Sequence, residues 1–305
     1  MIEADFDLNS IQATNFGVRL RSTGNMYFVP TDGPTQAALG SILQSTKHAF
    51  DGIATVWEEL DISEDYGARR RIYAQRDSEF MKEMSAIFDI GALEDLPDVQ
   101  DHVGDIEYYF ALFIDGNGDR IVGIRKATQF KGTVKARNRL VRLVDDTLKL
   151  IQEDVLRLDE EFDILVTDDH VFILNMTRAE QVAKIVEQVA ATAADKVQII
   201  QDTLPFLDLQ RIKETISQHP RVARNAASVA ANPHLAGFQQ EPIEALAAKH
   251  GIKFKKLPNG RLQCRVADNA KLLELLDARR YHLDLSGDGG DPYRATGRQK
   301  VATGA

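Results

Sequence analysis

Eight basic residues lie between Arg120 and Val144 with no acidic residue among them: Arg120, Arg125, Lys126, Lys131, Lys135, Arg137, Arg139 and Arg142. A phosphate backbone binds such a concentration of cations, because each phosphate neutralised releases condensed counterions. Thr133 and Asn138 add neutral hydrogen-bonding groups in the same stretch. The segment admits three readings. It is a solvated face, or a counter-surface for the acidic residues Glu153, Asp154, Asp159, Glu160, Glu161 and Asp163; it contacts nucleic acid or another polyanion; or it holds a small anionic ligand. On the second reading the nucleic-acid-binding residues are Arg125, Lys126, Lys131, Lys135, Arg137, Arg139 and Arg142. No base-reading motif accompanies them.

Other residue types carry less chemistry. Glu107, Asp115, Asp119, Asp163, Asp168 and Asp169 fall on or near two expected hairpins, and with Lys126 they supply the ingredients of a metal-dependent nuclease. Carboxylates at turns more often form the turn itself, and the acid-x-Lys spacing of common nuclease cores is missing. The histidines are scattered, with no helix-spaced pair to hold zinc. Cys264 is the only cysteine, which excludes an intrachain disulfide and makes buried packing its expected role. Arg69, Arg70 and Arg71 are balanced by Glu64, Asp65, Asp77 and Glu79 and read as a mixed solvated surface. Serine elbows, glycine-rich phosphate loops and dinucleotide fingerprints are absent from the sequence. The residues imply no cofactor, no metal and no catalytic group, and whether the chain is an enzyme stays open.

Composition sets the frame for these groups. The chain has 305 residues, 44% of them hydrophobic and 27% charged, enough for a substantial core in one or two domains. Its formal charge of -9 argues against nonspecific nucleic-acid binding by the whole surface, so any phosphate contact must be local. No apolar run approaches the roughly 18 residues that cross a bilayer. The opening residues MIEADFDLNS carry acids where a secretory signal carries bases, and a cytoplasmic location is expected.

An α+β fold follows from the patterning, a mixed fold in which several antiparallel β-hairpins pack against amphipathic helices. Residues 16–20 and 25–29 flank a turn at Ser22-Thr23-Gly24. Gly33-Pro34 opens a helix to about Phe50, with Trp57 beyond it as a packing residue. A second helix is expected over 74–88. Residues 108–114 and 120–124 pair across Asp115-Gly116-Asn117-Gly118-Asp119, and 162–166 pair with 170–174 across Thr167-Asp168-Asp169. Between them, Val134, Val141, Val144, Leu148, Ile151, Val155 and Leu158 recur at intervals of three, four and seven, which predicts one long amphipathic helix over 133–158. On that helix Lys131, Lys135, Arg139 and Arg142 would lie near one another.

Further helices are expected over 178–201, 204–219, 225–231 and 241–250, the last capped by Gly251. Residues 252–257 and 261–266 form a third hairpin, Asp268 caps a helix over 269–276, and 281–285 returns as a strand. The Gly-rich polar stretch from Ser286 reads as loose.

The segment EFDILVTDDHVFILN, from Glu161 to Asn175, resembles the signature hairpin of the KwaB-like family, the soluble component of the bacterial Kiwa anti-phage system. Tyr109 to Thr128, with Gly123-Ile124-Arg125-Lys126, is similar to the family's earlier strand pair, and Asn269 to Leu285 to its closing helix and strand. The resemblance divides the chain into an N-terminal α/β region over 1–104, a KwaB-like α+β domain over 105–285 and a polar tail over 286–305. It implies a cytoplasmic defence effector that binds DNA and works with a small membrane-embedded partner of the KwaA type, which recruits it to the inner face of the membrane. Phage DNA replication or expression would be the target. A homo-oligomer is compatible with it. The rival readings are a protein-interaction scaffold without DNA binding and the metal-dependent nuclease.

Overall fold

The computed structural model describes residues 6–51, 57–62, 72–130, 141–144, 147–150, 155–283 and 290–295. By its internal contacts the chain divides into two units, Met1–Leu60 with Gly67–Lys184, and Asp61–Tyr66 with Ile185–Ala305.

The first unit is built on its aromatic and β-branched runs, which fit a pleated, buried surface. Strands β1 (Ala13–Leu20) and β2 (Met26–Phe28) form the N-terminal hairpin, and α1 (Gly33–Asp51) follows it, all three as expected. Next come β3 (Glu58–Glu59), β4 (Ile72–Gln75), α2 (Lys82–Phe88) and the single turn α3 (Val99–His102). The helix expected over 74–88 is therefore correct only in its second half. Its first residues pair with a later strand instead, so tertiary pairing overrides local helix propensity there.

Strands β5 (Ile106–Ile114) and β6 (Arg120–Lys126) form the first central hairpin. After them come β7 (Thr128–Phe130), β8 (Val141–Val144), β9 (Thr147–Leu150) and β10 (Val155–Arg157), then the second central hairpin, β11 (Ile164–Val166) with β12 (His170–Ile173). Helix α4 (Met176–Val182) closes the unit.

Eight strands make one sheet in the order β2-β1-β5-β6-β11-β12-β4-β3. Strand β5 is central and reads IEYYFALFI, a nearly continuous apolar run, because both of its faces are covered. One face sends Phe16, Val18, Tyr109, Ala111 and Phe113 into a core with Leu39, Leu43 and Phe50 of α1. Trp57 stacks on Phe50 in that core, 5.0 Å between ring centroids, and so has the packing role expected of it. The opposite face is buried as well, and there Tyr108 donates its hydroxyl proton to Glu83 of α2 at 2.9 Å. Two glycines permit close approach between neighbours: a Cβ on Gly123 would lie 2.4 Å from the Phe162 ring, and one on Gly17 would lie 2.2 Å from Phe110.

The long helix expected over 133–158 does not form where the chain is described. Strand β8 pairs with β9, and β7 pairs with β10, both antiparallel. The apolar residues satisfy either period, since TLKL alternates strictly and VRLV alternates over Val141, Arg142 and Leu143, and β-branched Val141, Val144 and Thr147 favour the strand.

The second unit is mainly helical. It contains α5 (Ile185–Thr203), β13 (Leu207–Asp208), α6 (Gln210–Thr215), α7 (Pro220–Ala230) and α8 (Gln240–Lys249). Then follow β14 (Phe254–Lys256), β15 (Leu262–Cys264), α9 (Asn269–Leu276), β16 (Arg280–Leu283) and β17 (Asp291–Arg294).

The helix expected over 178–201 is two helices, broken where Lys184 takes φ +52°. That expected over 204–219 is interrupted by β13 and ends in a 3-10 turn, and Pro220 starts α7 as an N1 proline. The third hairpin forms as expected between β14 and β15. Asp268 stands at the N-cap of α9 without a side-chain cap; its carboxylate meets Lys271 Nζ at 3.1 Å. Part of the stretch expected to be loose is ordered, since β17 pairs with β16.

Candidate nucleic-acid interface

The basic segment begins on the sheet and departs from it. Arg120 and Arg125 lie at the two ends of β6, with Lys126 last in the strand. The chain then runs through β7, and β10 brings it back antiparallel to β7, with Val155 opposite Phe130 and Arg157 opposite Thr128. The β8–β9 hairpin lies within this excursion, and its register sets Arg142 opposite Lys149, two cations at one cross-strand position. Lys131, Lys135, Arg137 and Arg139 lie outside the described residues, as do Arg69, Arg70 and Arg71. Arg142 stands on a strand, so the helical grouping expected for it with Lys131, Lys135 and Arg139 does not hold.

Arg125 is bound inward. Its guanidinium is 11% exposed and meets Asp159 Oδ2 at 3.1 Å and Asp163 Oδ1 at 3.4 Å, and it also donates to the Glu161 carbonyl. The counter-surface reading thus describes Arg125. Asp163 is fully enclosed: it accepts the Lys126 backbone N–H at 3.0 Å and faces Arg178 at 3.4 Å. Burial raises its pKa above the ordinary carboxylate value, opposed by the two arginines and that N–H. Asp159 accepts from Arg157 Nε at 2.8 Å and Thr128 Oγ1 at 3.3 Å, while its own N–H donates to the Tyr109 hydroxyl at 3.2 Å. Burial pushes that phenol up to about 12. The Lys126 ammonium donates to Gln181. Sequence reasoning placed Asp159 only in an acidic run. Its convergence with Thr128 and Tyr109 has no local signal, because the partners lie 31 and 50 positions away.

A second group forms around the buried Arg19, which pairs with Glu83 at 2.7 Å and with Glu107, while Lys184 meets Glu107 at 3.7 Å. The acids proposed for nuclease chemistry are dispersed among separate partners. Glu107 belongs to this group and Asp163 to the Arg125 group. Asp115 forms its own turn by accepting N–H groups of Asp7, Asn117 and Asp119 at 2.8, 2.8 and 3.0 Å, which holds its pKa below the usual carboxylate value. Asp119, Asp168 and Asp169 do line one cleft of about 380 Å³, with Arg120 and His170. Arg76 pairs there with Asp89 and, at 3.7 Å, with Asp168. Among the described residues no group of three His, Cys, Asp or Glu side chains could hold a metal ion. Cys264 is buried, donates to Asn269 Oδ1 at 3.1 Å and has its thiol pushed up to about 11 by burial, as suits a packing residue.

These features define an α+β protein with a helix-covered, largely antiparallel sheet and, between its strands β6 and β11 in the chain, the separate β7–β10 pair. The family model described as Kiwa protein KwaB-like matches residues 104–285, from just before β5 to just after β16. The match spans more than half of the chain, and the chain belongs to that family. Membership gives it a role in Kiwa anti-phage defence and implies partners within that system. No curated protein and no solved structure matches the chain. Among the described residues no helix is long and apolar enough to cross a membrane.

Proposed function

We propose that the protein is the DNA-binding effector of a Kiwa system, engaging phage DNA through its basic segment and restricting phage DNA replication or expression. Lys131, Lys135, Arg139 and Arg142 make the phosphate contacts, supported by Arg125, Lys126 and Arg137. A small membrane-embedded partner of the KwaA type recruits the protein from the cytoplasm to the inner face of the membrane. One observation carries this reading: the chain has a formal charge of -9, yet it places eight cations and no acid between Arg120 and Val144. The register of β8 with β9 supports it, since it sets the two basic positions Arg142 and Lys149 opposite each other.

The test is duplex-DNA binding over a salt series. In the combined variant Lys131→Gln, Lys135→Gln, Arg139→Gln and Arg142→Gln, the slope of log K against log salt should shrink by about 3 to 4, near 0.9 for each phosphate no longer neutralised. Equal affinity and equal slope in both proteins would sink the reading. An interaction scaffold is the rival, favoured by the exposed Tyr281, Leu283 and Tyr293 of the β16–β17 pair. A partner retained after nuclease treatment, with no duplex binding by the purified chain, would establish the scaffold instead.

A further inference from the structure

Asp159 joins three pieces of chain at the point where the basic segment departs. Its carboxylate is only 7% exposed and accepts from Arg125 at the end of β6, from Thr128 in the first position of β7 and from Arg157 in the last position of β10. Its backbone N–H reaches Tyr109 in β5. Asp163 holds the other edge of the Arg125 guanidinium, so that side chain is gripped from both sides. The β7–β10 ladder has three residue pairs, too few to persist in water unaided.

We propose that Asp159 is a positioning residue for the basic segment: through Arg125, Thr128 and Arg157 it sets where the chain leaves at β7 and returns at β10. It thereby governs how the cations between those strands are presented to a phosphate backbone. The presentation rests on the DNA-binding reading above; the clamp itself does not. Arg125 then supports binding through position and makes no phosphate contact of its own.

The full-length variants Asp159→Asn, Arg125→Met and Lys131→Gln separate these roles. In Asp159→Asn the amides of β7 and β10 should exchange with solvent about tenfold faster while those of β5 keep their protection. Duplex affinity should fall several-fold in Asp159→Asn and Arg125→Met at unchanged salt slope, whereas Lys131→Gln should lower the slope by about 1. Unaltered exchange at β7 and β10 overturns the clamp, whatever happens to DNA binding. Faster exchange with wild-type affinity overturns the presentation, and a slope lowered by Arg125→Met overturns the positional role of that arginine. If the wild type binds no duplex, the DNA reading fails by itself and the exchange comparison still decides the clamp. Should Asp159→Asn not fold, Thr128→Val removes the hydroxyl that donates to the Asp159 carboxylate and carries the same comparison, with an expected change of about threefold.

Discussion

Strands β5 and β6 meet over seven residue pairs, and their buried members include Phe110 opposite Ile124 and Leu112 opposite Val122. Strands β7 and β10 meet over three pairs, and what surrounds that shorter ladder is charged: Arg125, Arg157, Asp159 and Asp163. The long ladder draws its stability from apolar area removed from water, which depends little on geometry. Beside the short one stand Arg125, Asp159 and Asp163, buried ions that must stay matched, since a charge left without its partner in a low dielectric is costly. The same sheet therefore supplies a rigid platform and, at its rim, a site whose geometry answers to single charges.

The contrast can be broken most sharply at Asp163. Asp163→Ala deprives Arg125 and Arg178 of a buried carboxylate and leaves the Lys126 N–H unpaired, and urea unfolding should show a loss of about 3 kcal/mol. The apolar side of the comparison is tested by Gly123→Ala, whose methyl would press into the Phe162 ring; the expected loss is about 2 kcal/mol, with local repacking visible in hydrogen exchange of β11. A denaturation midpoint unchanged by either substitution would show that its contact does not hold the sheet.

The smallest effect should appear at Asp115, where backbone N–H groups hold the folded pKa below the ordinary value of 3.8. Its contribution is complete above that value and is lost as pH falls through the folded pKa. Asp115→Asn should therefore flatten the acid limb of the stability curve below about pH 4 and leave the midpoint's pH dependence at neutrality unchanged.

The central hairpins were legible because their turns and their β-branched runs agree: Asp115 to Asp119 supplies both the bend and its hydrogen bonds, and Thr167 accepts the His170 N–H at the other turn. The helix over 133–158 was misread because Val141, Val144, Leu148, Val155 and Leu158 satisfy a helical interval while TLKL, and VRLV over its first three residues, also alternate. Periodicity cannot separate these readings when the windows are four residues long. The cations of the candidate interface were visible as composition. Which of them face inward was not, because the partners of Arg125 lie 34 and 38 residues away, beyond any helical or hairpin spacing.

By itself the sequence determined the α+β class, the three principal hairpins, the inert buried thiol and the cation-rich segment with its family resemblance. These depend on local propensity, on turn chemistry and on counting charges. Only the tertiary structure decided that residues 72–75 complete the sheet, that β7 meets β10, and that Arg125 is held between Asp159 and Asp163. The reason is common to all three: each is a pairing between distant segments, and its free energy comes from partners that no local window contains.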